Sequence, residues 1–149
     1  ESLKELGLID AIKTAVLENK VPFLGVCVGM QILFDHSEED DADCLGFLPG
    51  QVVKFDREKV RVPQMGWNKV TFSENMGYKA EDDYFYFVNS YYVVPEDKSH
   101  IWGTADYGGL FTAAVCKGNI YGTQFHIEKS AKAGLSLLNG FLSLKGGRL

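Results

Sequence analysis

The sequence predicts an α/β domain, and three observations carry that expectation. The run Val21-Pro22-Phe23-Leu24-Gly25-Val26 is short and continuously apolar, as a strand buried on both faces of a parallel sheet would be. Residues 29–34 follow it with a helical pattern, giving a strand-turn-helix unit near the start. From Gly50 onward the pattern changes to repeated short β-type runs.

Each element can be justified in turn. Leu3, Leu6, Ile9, Ile12 and Val16 recur at three- and four-residue steps, so residues 2–18 are predicted as one amphipathic helix packed by a single stripe. Acidic residues across 38–43 mark a solvated loop. Strands are predicted over 51–55, 69–72, 84–88, 91–94, 101–104, 111–116 and 120–125, with Lys117-Gly118-Asn119 turning one hairpin. Leu135, Leu138, Phe141 and Leu142 lie on a second amphipathic helix, followed by a Gly-rich, basic tail. A doubly wound sheet normally opens with a strand near its centre, whereas this chain opens with a helix.

Composition narrows the class. The 149 residues are 46% hydrophobic, enough for one compact domain over 1–149 with a sizeable core. Basic residues number 15 against 20 acidic, and they are scattered, which gives no footprint for nucleic acid. Cys27, Cys44 and Cys116 are widely spaced and form no zinc pattern, so a reduced, cytosolic protein without a metal is expected. No apolar run approaches the ~20 residues that span a bilayer, and the first residues do not read as a signal peptide.

Gly25-Val26-Cys27-Val28-Gly29 lies between a predicted buried strand and a predicted helix, the context of a nucleophile elbow built on cysteine. Such a turn strains the nucleophile's backbone and leaves no room for side chains two positions away, which accounts for the glycines. The helix N-terminus is expected to lower the thiol pKa. On these five residues alone, a structural cysteine between two packing glycines explains the run equally well. His126 and Glu128, two residues apart on extended backbone, project to the same side, so the carboxylate can orient the imidazole while the imidazole exchanges a proton with a thiol. His36 and His100 read as structural.

Gly25-Val26-Cys27-Val28-Gly29-Met30-Gln31, Pro63-Gln64-Met65-Gly66-Trp67-Asn68, Tyr84-Phe85-Tyr86-Phe87-Val88-Asn89-Ser90-Tyr91 and Gln124-Phe125-His126-Ile127-Glu128-Lys129-Ser130 resemble successive signatures of class I glutamine amidotransferases. Gly-Trp-Asn and Phe-Val-x-Ser-Tyr point to the glutaminase subunits of imidazole glycerol phosphate synthase. The resemblance runs from about Leu3 to Leu142. It implies a flavodoxin-like three-layer sandwich with a mixed central sheet, and glutamine hydrolysis through a thioester with no cofactor. The ammonia would pass to a partner (βα)8-barrel cyclase of histidine biosynthesis. By position, Cys27 is the nucleophile, His126 the acid and base, Glu128 the orienting residue and the Val28 N–H an oxyanion donor. Gly29, Gln31, Ser90 and Tyr91 resemble residues that hold glutamine. Trp67, Asn68 and Lys129 resemble residues that face the cyclase.

Three positions depart from the family pattern. Ile127 stands where proline is usual between the catalytic His and Glu, and Asn89 and Gln64 stand where histidine is frequent. The resemblance also implies that an N-terminal βαβ portion, with a loop supplying a second oxyanion donor, precedes the helix at Ser2 in the family. A chain without it is expected to be a weak glutaminase, since one lost donor costs ~10²–10³ in kcat. It is also expected to self-associate through an exposed sheet edge. Two other readings compete with the cyclase-coupled enzyme: an inactive self-associating fragment, and a paralogous glutaminase that feeds a surface-sugar amidotransferase.

Overall fold

The computed structural model describes residues 2–74 and 77–144, and the Gly-rich tail lies outside them. The chain opens with α1 (Ser2–Glu5) and α2 (Leu8–Lys13), which runs on into a π-helical segment, Thr14–Glu18. The single helix expected over 2–18 is therefore broken. Gly7 stands between the two helices at φ 65°, and left-handed backbone stops a right-handed helix. The apolar stripe is divided as a result: Val16 is buried with Ile12 packed beside its cluster, while Leu6 is exposed.

The strands that follow are β1 (Phe23–Val26), β2 (His36–Ser37), β3 (Ala42–Asp43), β4 (Gly50–Lys54), β5 (Gln64–Phe72), β6 (Asp83–Asn89), β7 (Tyr91–Pro95), β8 (Ile101–Asp106), β9 (Leu110–Lys117) and β10 (Ile120–Thr123). A short helix α3 (Val28–Gln31) follows β1, and α4 (Ala131–Ser143) closes the described chain. The helix expected over 29–34 covers only Val28–Gln31, the strand expected over 120–125 ends at Thr123, and two further regions differ from the sequence expectation. The acidic stretch is bracketed by strands, because His36 and Ser37 pair with β3 on one side and β4 on the other. β5 starts at Gln64, five residues before the expected position, because Gln64 to Asn68 are paired residue by residue with β6.

Among the described residues ten strands form one mixed sheet. β9 is its hub, with β8 along one side and β7 and β10 along the other. β10 returns from β9 through a two-residue turn at Gly118-Asn119, with Gly118 at φ 60°, and β1 then runs parallel to β10. Neighbouring residues on a strand face opposite ways. Val115 and Ile120 thus join one core with Val16, Met30, Leu33 and Phe34, while Cys116 and Tyr121 join the other with Trp102, Phe125 and α4's Leu137 and Phe141. Helices on both faces of a mixed sheet make the three layers expected. No helix among the described residues is long and apolar enough to cross a membrane.

Candidate active site

Cys27 follows β1 directly and sits at φ 54°, ψ −110°, a backbone conformation that residues with a Cβ rarely adopt. Its N–H donates to the Thr123 carbonyl at 2.7 Å, and its own carbonyl accepts from Met30 N–H at 3.0 Å as α3 begins. The two glycines of the elbow do different things. A Cβ on Gly25 would collide with the Gly29 carbonyl, so the turn closes only over a bare position. A Cβ on Gly29 would meet nothing within 4 Å. The steric reason expected for both glycines holds for Gly25 alone, and Gly29 faces open space.

His126 lies three residues past the end of β10, in the turn that leads into α4. Its N–H donates to the Tyr86 carbonyl at 2.9 Å. Ser130 Oγ donates to the His126 carbonyl at 2.6 Å and accepts from Tyr86 N–H at 3.0 Å, which ties the turn to β6 twice. His126 Nδ1 and Glu128 Oε1 are 2.8 Å apart, but not through the extended backbone expected: Ile127–Lys129 form a 3-10 turn that brings the carboxylate back to the ring. Ile127, where the family pattern has proline, is buried, and bare Gly134 lets α4 close onto its carbonyl. Packing restrains this loop in place of a ring. Cys27 Sγ points toward the Val88 carbonyl at 4.0 Å, so the thiol and the His126 backbone meet β6 two residues apart, about 7 Å along the strand.

Burial pushes the Cys27 thiol above its ordinary pKa; the Val28 N–H and the Gln124 amide work against this, and Glu128 and Glu39 add to it. The expected lowering by a helix N-terminus is thus overturned. α3 has four residues, too few to build much of a macrodipole, and desolvation of the thiolate outweighs it. Burial also raises Cys44 and Cys116, so electrostatics does not single out Cys27. Backbone geometry does. For the Glu128 carboxyl, burial acts upward, but its own N–H, the His126 ring and Lys129 together hold it below the usual carboxylate range.

The remaining expected residues fall into two groups. Gln31 is buried beneath Cys27, its amide nitrogen 3.0 Å from Gln124 Oε1 and 3.3 Å from the Tyr91 carbonyl. Ser90 and Tyr91 lead into β7, with Lys54 Nζ 5.4 Å from the centre of the Tyr91 ring. On the outer face Trp67 is 53% exposed, edge-on to Tyr86 at 5.7 Å, and Lys129 is exposed in the His126 turn. Asn68 faces the other way, donating to the Asp106 carbonyl at 2.7 Å. Trp67 and Asn68 therefore cannot present side chains to one surface.

Sequence reasoning gave no role to Gln124 or Ser130, both fully buried. A polar residue inside the apolar run from Ile120 was the available signal for Gln124. A cavity of about 990 Å³ opens at the far end of β1 against Leu17, Val21 and Asn119, away from the thiol. Among the described residues, no group of three or more His, Cys, Asp and Glu is placed to hold a metal.

Comparison with known proteins gives the same picture. The chain is 47% identical over 148 residues to imidazole glycerol phosphate synthase subunit HisH 2 of Methanococcus maripaludis, covering 95% of this chain and 72% of that protein. It is 47% identical over 152 residues to the HisH subunit of Neisseria meningitidis serogroup B, covering 95% and 71%. A crystal structure of a glutamine amidotransferase superposes with a TM-score of 0.70 at 20% identity, over 97% of this chain and 71% of that one. At that identity the superposition speaks for the fold, while the sequence pattern described as "Glutamine amidotransferase class-I" matches residues 4–143. With a match across nearly its whole length and relatives this similar, the chain belongs to the class I glutamine amidotransferases, close to the HisH subunits.

Proposed function

We propose that this chain hydrolyses glutamine with Cys27, His126 and Glu128 and delivers the ammonia to a (βα)8-barrel cyclase partner in histidine biosynthesis. The observation that carries this reading is the strained Cys27 elbow at one strand end beside the 2.8 Å His126–Glu128 pair at the next. His126 takes the thiol proton as Sγ attacks the glutamine carboxamide carbon. The carbonyl oxygen becomes an oxyanion within reach of the Val28 N–H. His126 then passes the proton to the departing nitrogen, leaving ammonia and a γ-glutamyl thioester. Water, deprotonated by His126, opens the thioester to release glutamate and restore the thiol. Glu128 fixes the ring and stabilises its protonated form.

Gly29, Gln31, Ser90 and Tyr91 are the proposed glutamine-binding positions, with the open side of Gly29 as the substrate's entry. Trp67 and Lys129 are the proposed contacts with the cyclase, Trp67 as an aromatic anchor. Asn68, whose amide is bonded to Asp106 on the opposite face of the strand, is left out of that surface. Release of glutamate from glutamine by the chain mixed with the cyclase tests the reading. Cys27→Ala is expected to abolish release while leaving thermal unfolding and cyclase affinity in place. Undiminished release by that variant would overturn the assignment.

A second reading concerns assembly. β1 bonds to β10 alone among the described residues, and an apolar groove of about 340 Å³ lies beside it against Leu24, Val26, Leu135 and Leu138. We propose that this edge pairs with a second copy, as exposed strand edges do. Leu24→Lys is expected to lower the mass in solution, and an unchanged mass would remove β1 from the interface.

A further inference from the structure

Three amides and carbonyls form a chain that ends on the sulfur of Cys27. The Tyr91 carbonyl accepts from Gln31 Nε2 at 3.3 Å, Gln124 Oε1 accepts from the same nitrogen at 3.0 Å, and Gln124 Nε2 donates to Cys27 Sγ at 3.6 Å. The direction of this chain is not free. Gln31 can serve the two acceptors only through its N–H groups, so Gln124 must turn its oxygen to Gln31 and its own N–H to the sulfur. Gln124 is fully buried at 0% exposure and Gln31 is 6% exposed, so water does not compete for either amide. Burying two primary amides costs free energy unless both are bonded, and here their bonds run to the nucleophile.

We infer that Gln124 is a thiolate-stabilising residue of the glutaminase reaction and that Gln31 is its positioning residue, aiming the Gln124 N–H at Cys27 Sγ. This rests on the reading of Cys27 as the nucleophile. An N–H donor gains strength when its acceptor becomes an anion, so the Gln124 bond is weak to the resting thiol and strong to the thiolate. The sulfur carries negative charge twice in the proposed cycle: when His126 has removed its proton, and when the thioester collapses and it leaves. Gln124 favours both moments. The need for it follows from the elbow itself, where burial disfavours the charged sulfur and the Val28 N–H is the other group acting against that burial.

Gln31 takes on a second assignment in this scheme. Family resemblance places it among the residues that hold glutamine, yet its donors are already committed within the protein. Its donors act on the reaction through Gln124, and its side-chain oxygen is left for the proposed glutamine site.

The test is the pH profile of Cys27 alkylation by iodoacetamide, read site by site by mass spectrometry on the full chain. It needs no glutamine turnover, so it stands or falls separately from the glutaminase reading. In Gln124→Met the midpoint for Cys27 is expected to move up by about one pH unit, a tenfold loss of thiolate at a fixed lower pH. Gln124→Glu is expected to move it further up, because a carboxylate beside the sulfur opposes a second negative charge. Gln31→Met should give a smaller shift in the same direction, since Gln124 keeps its amide but loses its aim. A general loosening would instead speed alkylation of buried Cys116 in parallel, and such parallel change would overturn the inference. So would an unmoved Cys27 midpoint in Gln124→Met. If Gln124→Met does not fold, Gln124→Asn serves in its place: it keeps the amide and withdraws it by one methylene. An unshifted midpoint there counts equally against the role.

Discussion

The Cys27 elbow and the His126 turn meet the same strand two residues apart, yet they are held by opposite means. At the elbow the backbone is left-handed, the position two residues earlier admits no Cβ, and the thiol is pressed into a site that resists its ionisation. At the turn the His126 backbone is extended at φ −84°, the imidazole is 22% exposed and Glu128 61% exposed, and hydrogen bonds through Ser130 and Tyr86 keep the register. Shape positions Cys27 and costs its thiol solvation. Polar ties position the His126–Glu128 pair and leave it in contact with water. The first should be intolerant of added atoms and the second of removed bonds.

The largest effect is expected at Gly25. Gly25→Ala should lower unfolding stability by about 2–4 kcal/mol, because the added methyl meets backbone and backbone cannot turn aside. A urea midpoint unchanged at constant m-value would show that the elbow has slack. Ser130→Ala should cost about 1–3 kcal/mol, since it leaves Tyr86 N–H without its acceptor inside the fold. It should also reduce turnover, by freeing His126. A variant that loses stability but keeps full turnover would show that the turn is held by Ile127 and α4 instead.

Glu128→Gln should reduce turnover by roughly tenfold, below the usual range for an acid–base group, because water can replace much of what an exposed carboxylate supplies. The pH dependence has a definite sign. The carboxyl is held below its ordinary value, so its contribution to stability is complete above the ordinary carboxylate range and is lost as pH falls through the depressed value. Glu128→Gln should flatten that part of the acid limb of a thermal-stability profile, and an identical limb would place the acid sensitivity elsewhere. The smallest effect is expected at Gly29. Gly29→Ala should change stability by no more than about 0.5 kcal/mol while raising KM for glutamine, because the new methyl stands in open space at the cleft. A loss comparable to that of Gly25→Ala would erase the distinction between the two glycines.

Legibility in the sequence followed how local each cause was. The elbow could be read because an apolar run, a cysteine flanked by glycines and a helical pattern occur within fourteen residues. The His126–Glu128 contact was expected for a reason that does not hold, since Ile127–Lys129 form a 3-10 turn and not extended backbone, and it is this turn that brings the carboxylate back to the ring. The break at Gly7 was hidden, because five apolar residues kept helical spacing across it and one glycine alone does not end a periodic pattern. The first half of β5 was hidden too. Gln64, Gly66 and Asn68 have little strand preference of their own, and they are extended because β6 pairs with each. The pKa of Cys27 was misread for a related reason, since the helix N-terminus is local but the burial that outweighs it comes from distant strands. Gln124 and Ser130 show the limit most clearly. What a buried polar group does depends on which partners surround it, and those lie dozens of residues away on other elements.

Tyr86 belongs to two places at once. Its ring stands against Trp67 on the outer surface of the β5–β6 hairpin, and its backbone carbonyl and N–H hold the His126 turn on the inner side. A single residue therefore links an exposed aromatic surface to the turn that carries His126. A tilt of the hairpin at Trp67 is expected to reach the His126 turn through these main-chain bonds. Replacing the Tyr86 ring would cut the outer half of that linkage and spare the inner half, because the inner half is main chain.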